Sequence, residues 1–368
     1  MRCLVIKLGT STVTAGEGEP SPILGAYADL CARLRALGWS PVIVTSGAVG
    51  AGRGPLGLAG KKLSLVEKQA AAAVGQGRLM ETYRRHFEGA GLTVAQILLS
   101  RADISDRGRC NNARRALEFL LKAGVVPLVN ENDTVATEEL KFGDNDLLSA
   151  LVANLLGAER LIILTDTGGL YTMDPRMDPD AALVAEVAQV TQVLLDTAGE
   201  SRSGVGTGGM ASKLRAARIA SEGGATVTIA HGQHPERILE LLNGQAVGTT
   251  VLPAASRRDS RKSWIAYGVV PSGKVMVDEG AVDAMVQDGR SLLPVGIRQV
   301  EGEFEAGEVV QICRGDGTEI GRGLVALDAG DLRRVMGCAT PEVRRRLGNE
   351  TSTEAIHRDD LTVTVVAS

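Results

Sequence analysis

Two lysines sit where lysine is seldom left. Lys7 lies within the apolar run Cys3–Leu8, two residues before a glycine, Gly9. Lysine is ordinarily a solvated surface charge, and a place inside an apolar strand argues against that fate. Lys213 closes the segment Gly204-Val-Gly-Thr-Gly-Gly-Met-Ala-Ser-Lys213, which leads into a helix beginning near Ser212. Two cations far apart in sequence can converge on one anion. Lys7-Leu-Gly-Thr-Ser11 and Thr45-Ser-Gly-Ala-Val-Gly50 each follow a predicted strand directly. Small residues after a strand present backbone N–H groups to an anion, and a helix N-terminus adds its positive dipole end. Three such segments at one edge of a sheet point to a phosphate-bearing ligand.

Acidic and amide residues gather at two further places. Asn130-Glu-Asn-Asp133 ends a predicted strand, and Lys141-Phe-Gly-Asp-Asn-Asp146 opens the next helix. Asp144 or Asn145 can cap that helix, but capping does not account for Asp146 as well, nor for Asn130 and Asp133. Two carboxylates and two amides suit an amino-acid ligand, or cationic groups that need orienting. Thr165-Asp-Thr-Gly-Gly-Leu-Tyr171 offers a hydroxyl, a carboxylate and glycines, a set suited to the base and ribose of a nucleotide. No GxxxxGK[ST] string occurs, which disfavours a Walker-type site. Gly204, Gly206 and Gly209 satisfy GxGxxG, but no clear strand precedes them, so a dinucleotide fingerprint is not expected there.

These residues need a frame to position them. Short apolar runs alternate with amphipathic stretches from residue 3 to about 245. The predicted strands are Cys3–Leu8, Val42–Thr45, Thr93–Leu99, Val125–Val129, Leu161–Leu164 and Thr226–Ala230. The predicted helices include Tyr27–Leu37, Ser64–Phe87, Asn112–Leu121, Asn145–Leu156 and Ser212–Glu222. Continuous apolar runs suit strands buried on both faces. Alternation with helices implies an α/β fold, a mostly parallel sheet with helices on both sides and ligands at the carboxyl ends of its strands.

After Leu252 the texture changes. Ser256-Arg-Arg-Asp-Ser-Arg-Lys262 reads as a linker or a solvated helix, and the runs Lys274–Val277, Val309–Arg314, Ile320–Ala326 and Leu361–Val366 as a small β-rich domain. From Val251 onward 15 basic residues face 18 acidic ones, and the whole chain carries −4, so no positive field recruits nucleic acid or an anionic membrane. Of 368 residues 45 are glycine and only 3% aromatic, so Val, Leu, Ile and Ala must build the core. Five scattered cysteines read as reduced thiols. His231-Gly-Gln-His234 reads as a polar turn, and no metal site is expected. No apolar run approaches the length of a membrane span, and the early first strand leaves no room for a signal peptide. A cytoplasmic protein is expected.

The strings KLGTS (Lys7 to Ser11), VTSGAV (Val44 to Val49), NENDTV (Asn130 to Val135), KFGDND (Lys141 to Asp146), TDTGGLYTMDPR (Thr165 to Arg176) and GTGGMASK (Gly206 to Lys213) closely resemble the glutamate 5-kinase branch of the amino acid kinase family. Lys68-Gln69, AAVGQ (Ala72 to Gln76) and NAR (Asn112 to Arg114) also fit, and GKVMVDEGA (Gly273 to Ala281) with SLLPVGI (Ser291 to Ile297) resembles a PUA domain. The resemblance implies a three-layer αβα kinase domain over 1–252, a linker over 253–270, a PUA-like domain over 271–350 and a tail, 351–368, packed on it. It implies transfer of the ATP γ-phosphoryl group to the side-chain carboxylate of L-glutamate, with Mg²⁺ on the nucleotide. Lys7 and Lys213 would hold phosphate, ordered by Asp144. Ser46, Gly47, Asn130, Asp133, Asn145 and Asp146 would bind glutamate. Gly9, Thr10, Thr165, Asp166, Thr207, Gly208, Gly209, Met210, Ala211 and Ser212 would line the ATP site. Feedback inhibition by proline, a homodimer or homotetramer, and a glutamyl phosphate reductase consuming the product are further family expectations. The alternatives are a sibling kinase acting on another carboxylate, a carbamate or a nucleoside monophosphate, and an RNA-binding role for the PUA-like domain, through Arg257, Arg258, Arg261 and Lys262.

Overall fold

The first predicted run is strand β1 (Arg2–Lys7), buried at every position after Arg2. A continuous apolar strand has no solvent face, so it must lie inside a sheet covered on both sides. The computed structural model describes residues 2–14, 21–135, 145–175, 177–178, 180–200, 209–254, 260–348 and 351–363. Asp144, Thr207 and Gly208 fall outside these residues. Two compact units divide the chain, Met1–Arg258 and Asp259–Ser368.

In the first unit β1 is followed by α1 (Thr10–Val13), α2 (Ile23–Ala36), β2 (Trp39–Val44), α3 (Ala48–Arg53), α4 (Leu65–Gly89) and β3 (Val94–Leu99). Next come α5 (Arg101–Ser105), α6 (Arg107–Lys122), β4 (Val126–Glu131), α7 (Asn145–Leu156) and β5 (Arg160–Thr165). The unit closes with β6 (Glu186–Val187), α8 (Gln192–Glu200), α9 (Met210–Glu222), β7 (Thr226–His231), α10 (Arg237–Leu242) and β8 (Thr249–Val251). The sheet order is β3-β4-β2-β1-β5-β7-β8-β6. Every pairing is parallel except β7 with β8. The chain therefore runs out from β1 through β2 to β3 and β4 on one side, then crosses to β5 on the other. That reversal opens a crevice beyond the carboxyl ends of the central strands.

Tyr27, Tyr83 and Phe87 are fully buried among Leu4, Ile6, Leu24, Leu34, Ile43 and Leu79, packing α2 and α4 onto the sheet. Helix α4 starts with a capping box in which Ser64 and Glu67 satisfy each other's backbone N–H. Helix α7 is apolar nearly all round and buried from Leu148 to Asn154, as its place within the unit requires.

The second unit contains α11 (Ser260–Ser263), a π-helical turn at Trp264–Gly268, β9 (Gly273–Val277), α12 (Glu279–Val286), β10 (Ile297–Gly302), β11 (Val309–Cys313), β12 (Glu319–Leu324), α13 (Ala329–Val335), α14 (Thr340–Leu347) and β13 (Leu361–Val363). Its sheet runs β10-β9-β11-β12-β13 around a core that includes Val275, Val310, Ile312, Leu332 and Ile356. Part of the stretch expected as linker is built into this unit. Ile265 and Val269 pack with Val309, and Trp264 and Leu324 lie against them. The basic residues around position 260 masked these apolar ones in the sequence. The last described strand, β13, pairs with β12 at the edge of this sheet.

Candidate active site

Parallel register sets the site. Lys7, the last residue of β1, lies opposite Val44 of β2 and Ile163 of β5. Val44 in turn lies opposite Val129 of β4, and Thr165 opposite His231 of β7. One edge of the sheet thus presents, in order, Asn130, Thr45 with Ser46, Lys7, Thr165 and His231. Each is the first polar residue after, or at the end of, an apolar strand.

At the centre of this edge Asp146 carries both lysines. Its Oδ1 is 2.6 Å from Lys7 Nζ. Its Oδ2 accepts from Lys213 Nζ at 3.1 Å. Asp146 is fully buried, while Lys7 and Lys213 are 4% and 6% exposed. Lysine is almost never buried unless paired, and here one carboxylate holds two ammonium groups on its two oxygens. Asp146 stands in the first turn of α7, where a negative side chain also complements the helix dipole. Lys213 comes from the first turn of α9, whose N-cap is Gly209. Gly9 lies over Lys7, since a Cβ there would stand 3.6 Å from Nζ.

The preceding residue, Asn145, ties together the neighbouring strand ends. Its Nδ2 lies 2.5 Å from Thr45 O, 3.0 Å from Ser46 Oγ and 2.9 Å from Asn130 Oδ1. Asn130 is buried, and its Nδ2 donates to Gln76 Oε1 at 2.9 Å. Beneath them the hydroxyls of Thr45 and Tyr83 lie 2.8 Å apart, and burial pushes the Tyr83 phenol above its ordinary range despite that bond. Gly47 turns the chain from β2 into α3 with φ +100°, where a Cβ would also stand 2.8 Å from Val13 Cγ2. Asp133 is half-buried in the turn after β4, three residues beyond Asn130.

On the other flank Thr165 is buried and its Oγ1 donates to Asp166 Oδ1 at 3.0 Å, with Asp166 exposed. Thr249 Oγ1 shapes the following loop, accepting from Leu170 N at 2.8 Å and donating to Val184 O at 2.6 Å. Met210, Ala211 and Ser212 are half-buried in the first turn of α9, and Thr10 is exposed at the start of α1. His231 Nδ1 accepts from Gln233 N, the polar turn expected there.

A family model described as "Amino acid kinase family" matches residues 2–231, and one described as "PUA domain" matches residues 273–347. The chain belongs to the amino acid kinase family. Among curated relatives of this kinase, the glutamate 5-kinase of Geobacter sulfurreducens is 48% identical over 98% of this chain and 97% of its own. That of Gloeobacter violaceus is 48% identical over 98% and 99%, and that of Synechococcus sp. (strain JA-2-3B'a(2-13)) 47% over 97% of each.

Asp146, expected among the acceptor-binding groups, is paired with Lys7 and Lys213 in this kinase. Asp144, expected to order the same two lysines, lies outside the described residues. The start of α7 buries Asp146 completely at the end of β1, which the string KFGDND does not announce. Gln76 was visible only as the last letter of AAVGQ, and Tyr83 and Thr249 gave no signal at all.

Proposed function

We propose that this kinase is a glutamate 5-kinase that transfers the ATP γ-phosphoryl group to the side-chain carboxylate of L-glutamate, the first step of proline biosynthesis. The observation that carries the reading is the buried Lys7–Asp146–Lys213 cluster at the sheet's switch point, flanked on one side by hydroxyl and amide donors and on the other by Thr165 and Asp166. The whole-length similarity to relatives named glutamate 5-kinase supports the choice of acceptor.

A carboxylate is already a nucleophile at neutral pH, so no strong base is required. Its oxygen forms a bond to the γ-phosphorus as the bond to the β,γ-bridging oxygen breaks, giving an acyl phosphate and ADP. Catalysis is then alignment plus stabilisation of charge on the moving phosphoryl group. Lys7 and Lys213 meet its oxygens, and Asp146 holds the two ammonium groups close enough to share one phosphate. Ser46, Gly47, Asn130, Asp133 and Asn145 receive glutamate. Gly9, Thr10, Thr165, Asp166, Gly209, Met210, Ala211 and Ser212 form the nucleotide side. A Mg²⁺ brought by ATP would be held chiefly by the nucleotide's phosphate oxygens and water and would neutralise part of their charge.

Proline as feedback inhibitor, a homo-oligomer and consumption of the product by a reductase belong to the same reading. No helix among the described residues is long and apolar enough to cross a membrane. The test is an acceptor panel of glutamate, N-acetylglutamate, aspartate and UMP, following ADP formation with and without proline. Glutamate is expected to be turned over with the highest kcat/KM and to be antagonised by proline. Turnover of another acceptor in preference to glutamate refutes the assignment. Lys7→Ala or Lys213→Ala is expected to lower kcat by about 10²–10³, and near-normal turnover would dismiss that lysine's role.

A further inference from the structure

We infer that Gln76, in the middle of α4, is a positioning residue for the acceptor substrate. It fixes the amide of Asn130 and, through it, Asn145 and Ser46. The inference rests on the acceptor side proposed above for this edge of the sheet.

The backbone sets the orientation of the whole network. Glu131 N donates to Asn130 Oδ1 at 2.9 Å, and Asn145 Nδ2 donates to the same oxygen. Asn130 must therefore turn its Nδ2 toward Gln76, and Gln76 must meet it with oxygen. That leaves Gln76 Nε2 buried, with no hydrogen-bond partner among the described residues. A buried donor left unmet weakens the fold, and a methionine or leucine of similar volume would avoid the cost. A polar side chain kept at this position against the interest of stability points to the one bond it does make, to Asn130.

The placement of Gln76 is rigid. A Cβ added to the adjacent Gly75 would stand 1.8 Å from Ala48 O and 2.5 Å from Gly52 N. Helices α3 and α4 therefore pack backbone against backbone at this point. Since α3 is entered from Ser46 and Gly47, one contact fixes the spacing between Gln76 and the acceptor-side hydroxyl. The chain of bonds runs Gln76, Asn130, Asn145, Ser46, with each distance at or below 3.0 Å.

The experiment compares the wild type, Gln76→Met, Asn130→Ala and the double variant, using whichever acceptor of the panel the wild type turns over. A failure of glutamate itself is thus read separately from a failure of this inference. Gln76→Met is expected to raise the acceptor KM about 5- to 20-fold, with ATP KM within about twofold and thermal stability unchanged or higher. In the Asn130→Ala background the same change is expected to have no further effect on acceptor KM. An unchanged acceptor KM in Gln76→Met overturns the inference. So does a fully additive effect in the double variant, or a rise in KM that comes only with lost stability. Gln76→Glu, which keeps an oxygen toward Asn130, is expected to recover acceptor KM relative to Gln76→Met.

Discussion

Asp146 bears two positive charges on one carboxylate in a place that excludes water. Such a cluster is not there to stabilise the fold, because desolvating three charges consumes most of what their attraction returns. In the proposed reaction its use lies in the site: two ammonium groups held together would be prepared for a phosphate before it arrives, so little reorganisation would accompany the reaction. Asp146→Asn keeps the shape and removes the carboxylate charge that both buried lysines share. It is expected to destabilise the unit by about 3–5 kcal/mol and to lower kcat at least as far as loss of either lysine. Thermal unfolding with steady-state kinetics checks both, and a variant with unchanged Tm and kcat would remove Asp146 from the centre. The lysines were legible in the sequence because a charge inside an apolar run is a conflict that function resolves. The part played by Asp146 was not, because a carboxylate in the first turn of a helix reads in sequence as a cap or a solvated charge and only burial reveals the pairing.

At the scale of elements, β1, β2, β4, β5 and β7 were legible as apolar runs because burial on both faces leaves no alternation to misread. Strands β6 and β8 were not, having only two and three residues. β10 escaped for the opposite reason, since only Ile297 is buried in its length and no apolar run marks it. The short helix α3 was also missed, and it is entered from Ser46 and Gly47 of the proposed acceptor side. Gly52 and Gly75 let α3 and α4 approach at backbone distance, where a Cβ on Gly52 would be 1.8 Å from Ala71 O. Gly75→Ala must push the two helices apart and move Ser46 and Gly47 with α3. The expected result is about 1–3 kcal/mol of lost stability and a raised acceptor KM, with ATP KM little changed. Equal rises in both constants would mean that α3 does not govern the acceptor side separately.

For the molecule as a whole, the scarcity of aromatic side chains has an acid–base consequence. The first unit fills its core partly with groups that can ionise: Cys3, Cys31, Tyr27 and Tyr83 are all buried. Burial pushes the Cys3 thiol up to about 12, with Glu159 adding to it, and burial alone does the same for Cys31. Burial also raises both phenols, Tyr27 further by the nearby Tyr83, Glu236 and Cys31. Tyr27 stays protonated where it donates to Gly232 O at 2.8 Å. The sign follows from proton counts. Above pH about 9 the unfolded chain loses thiol protons that the folded chain keeps, so the unfolded state binds fewer protons and stability falls as pH rises. The window runs from about 9, the ordinary thiol value, to about 12 for Cys3 and Cys31, each contributing a slope of about 1.4 kcal/mol per pH unit. Urea midpoints are therefore expected to decline steadily between pH 9 and 11. At pH 8 a thiol with a pKa near 12 is thiolate in only about one molecule in 10⁴, so Cys3 and Cys31 should resist a thiol reagent until the unit unfolds. Cys338, half-buried in the second unit, should react first. Rapid labelling of Cys31 in the native protein, or a midpoint that stays flat to pH 11, would show that these thiols are not sealed in the interior.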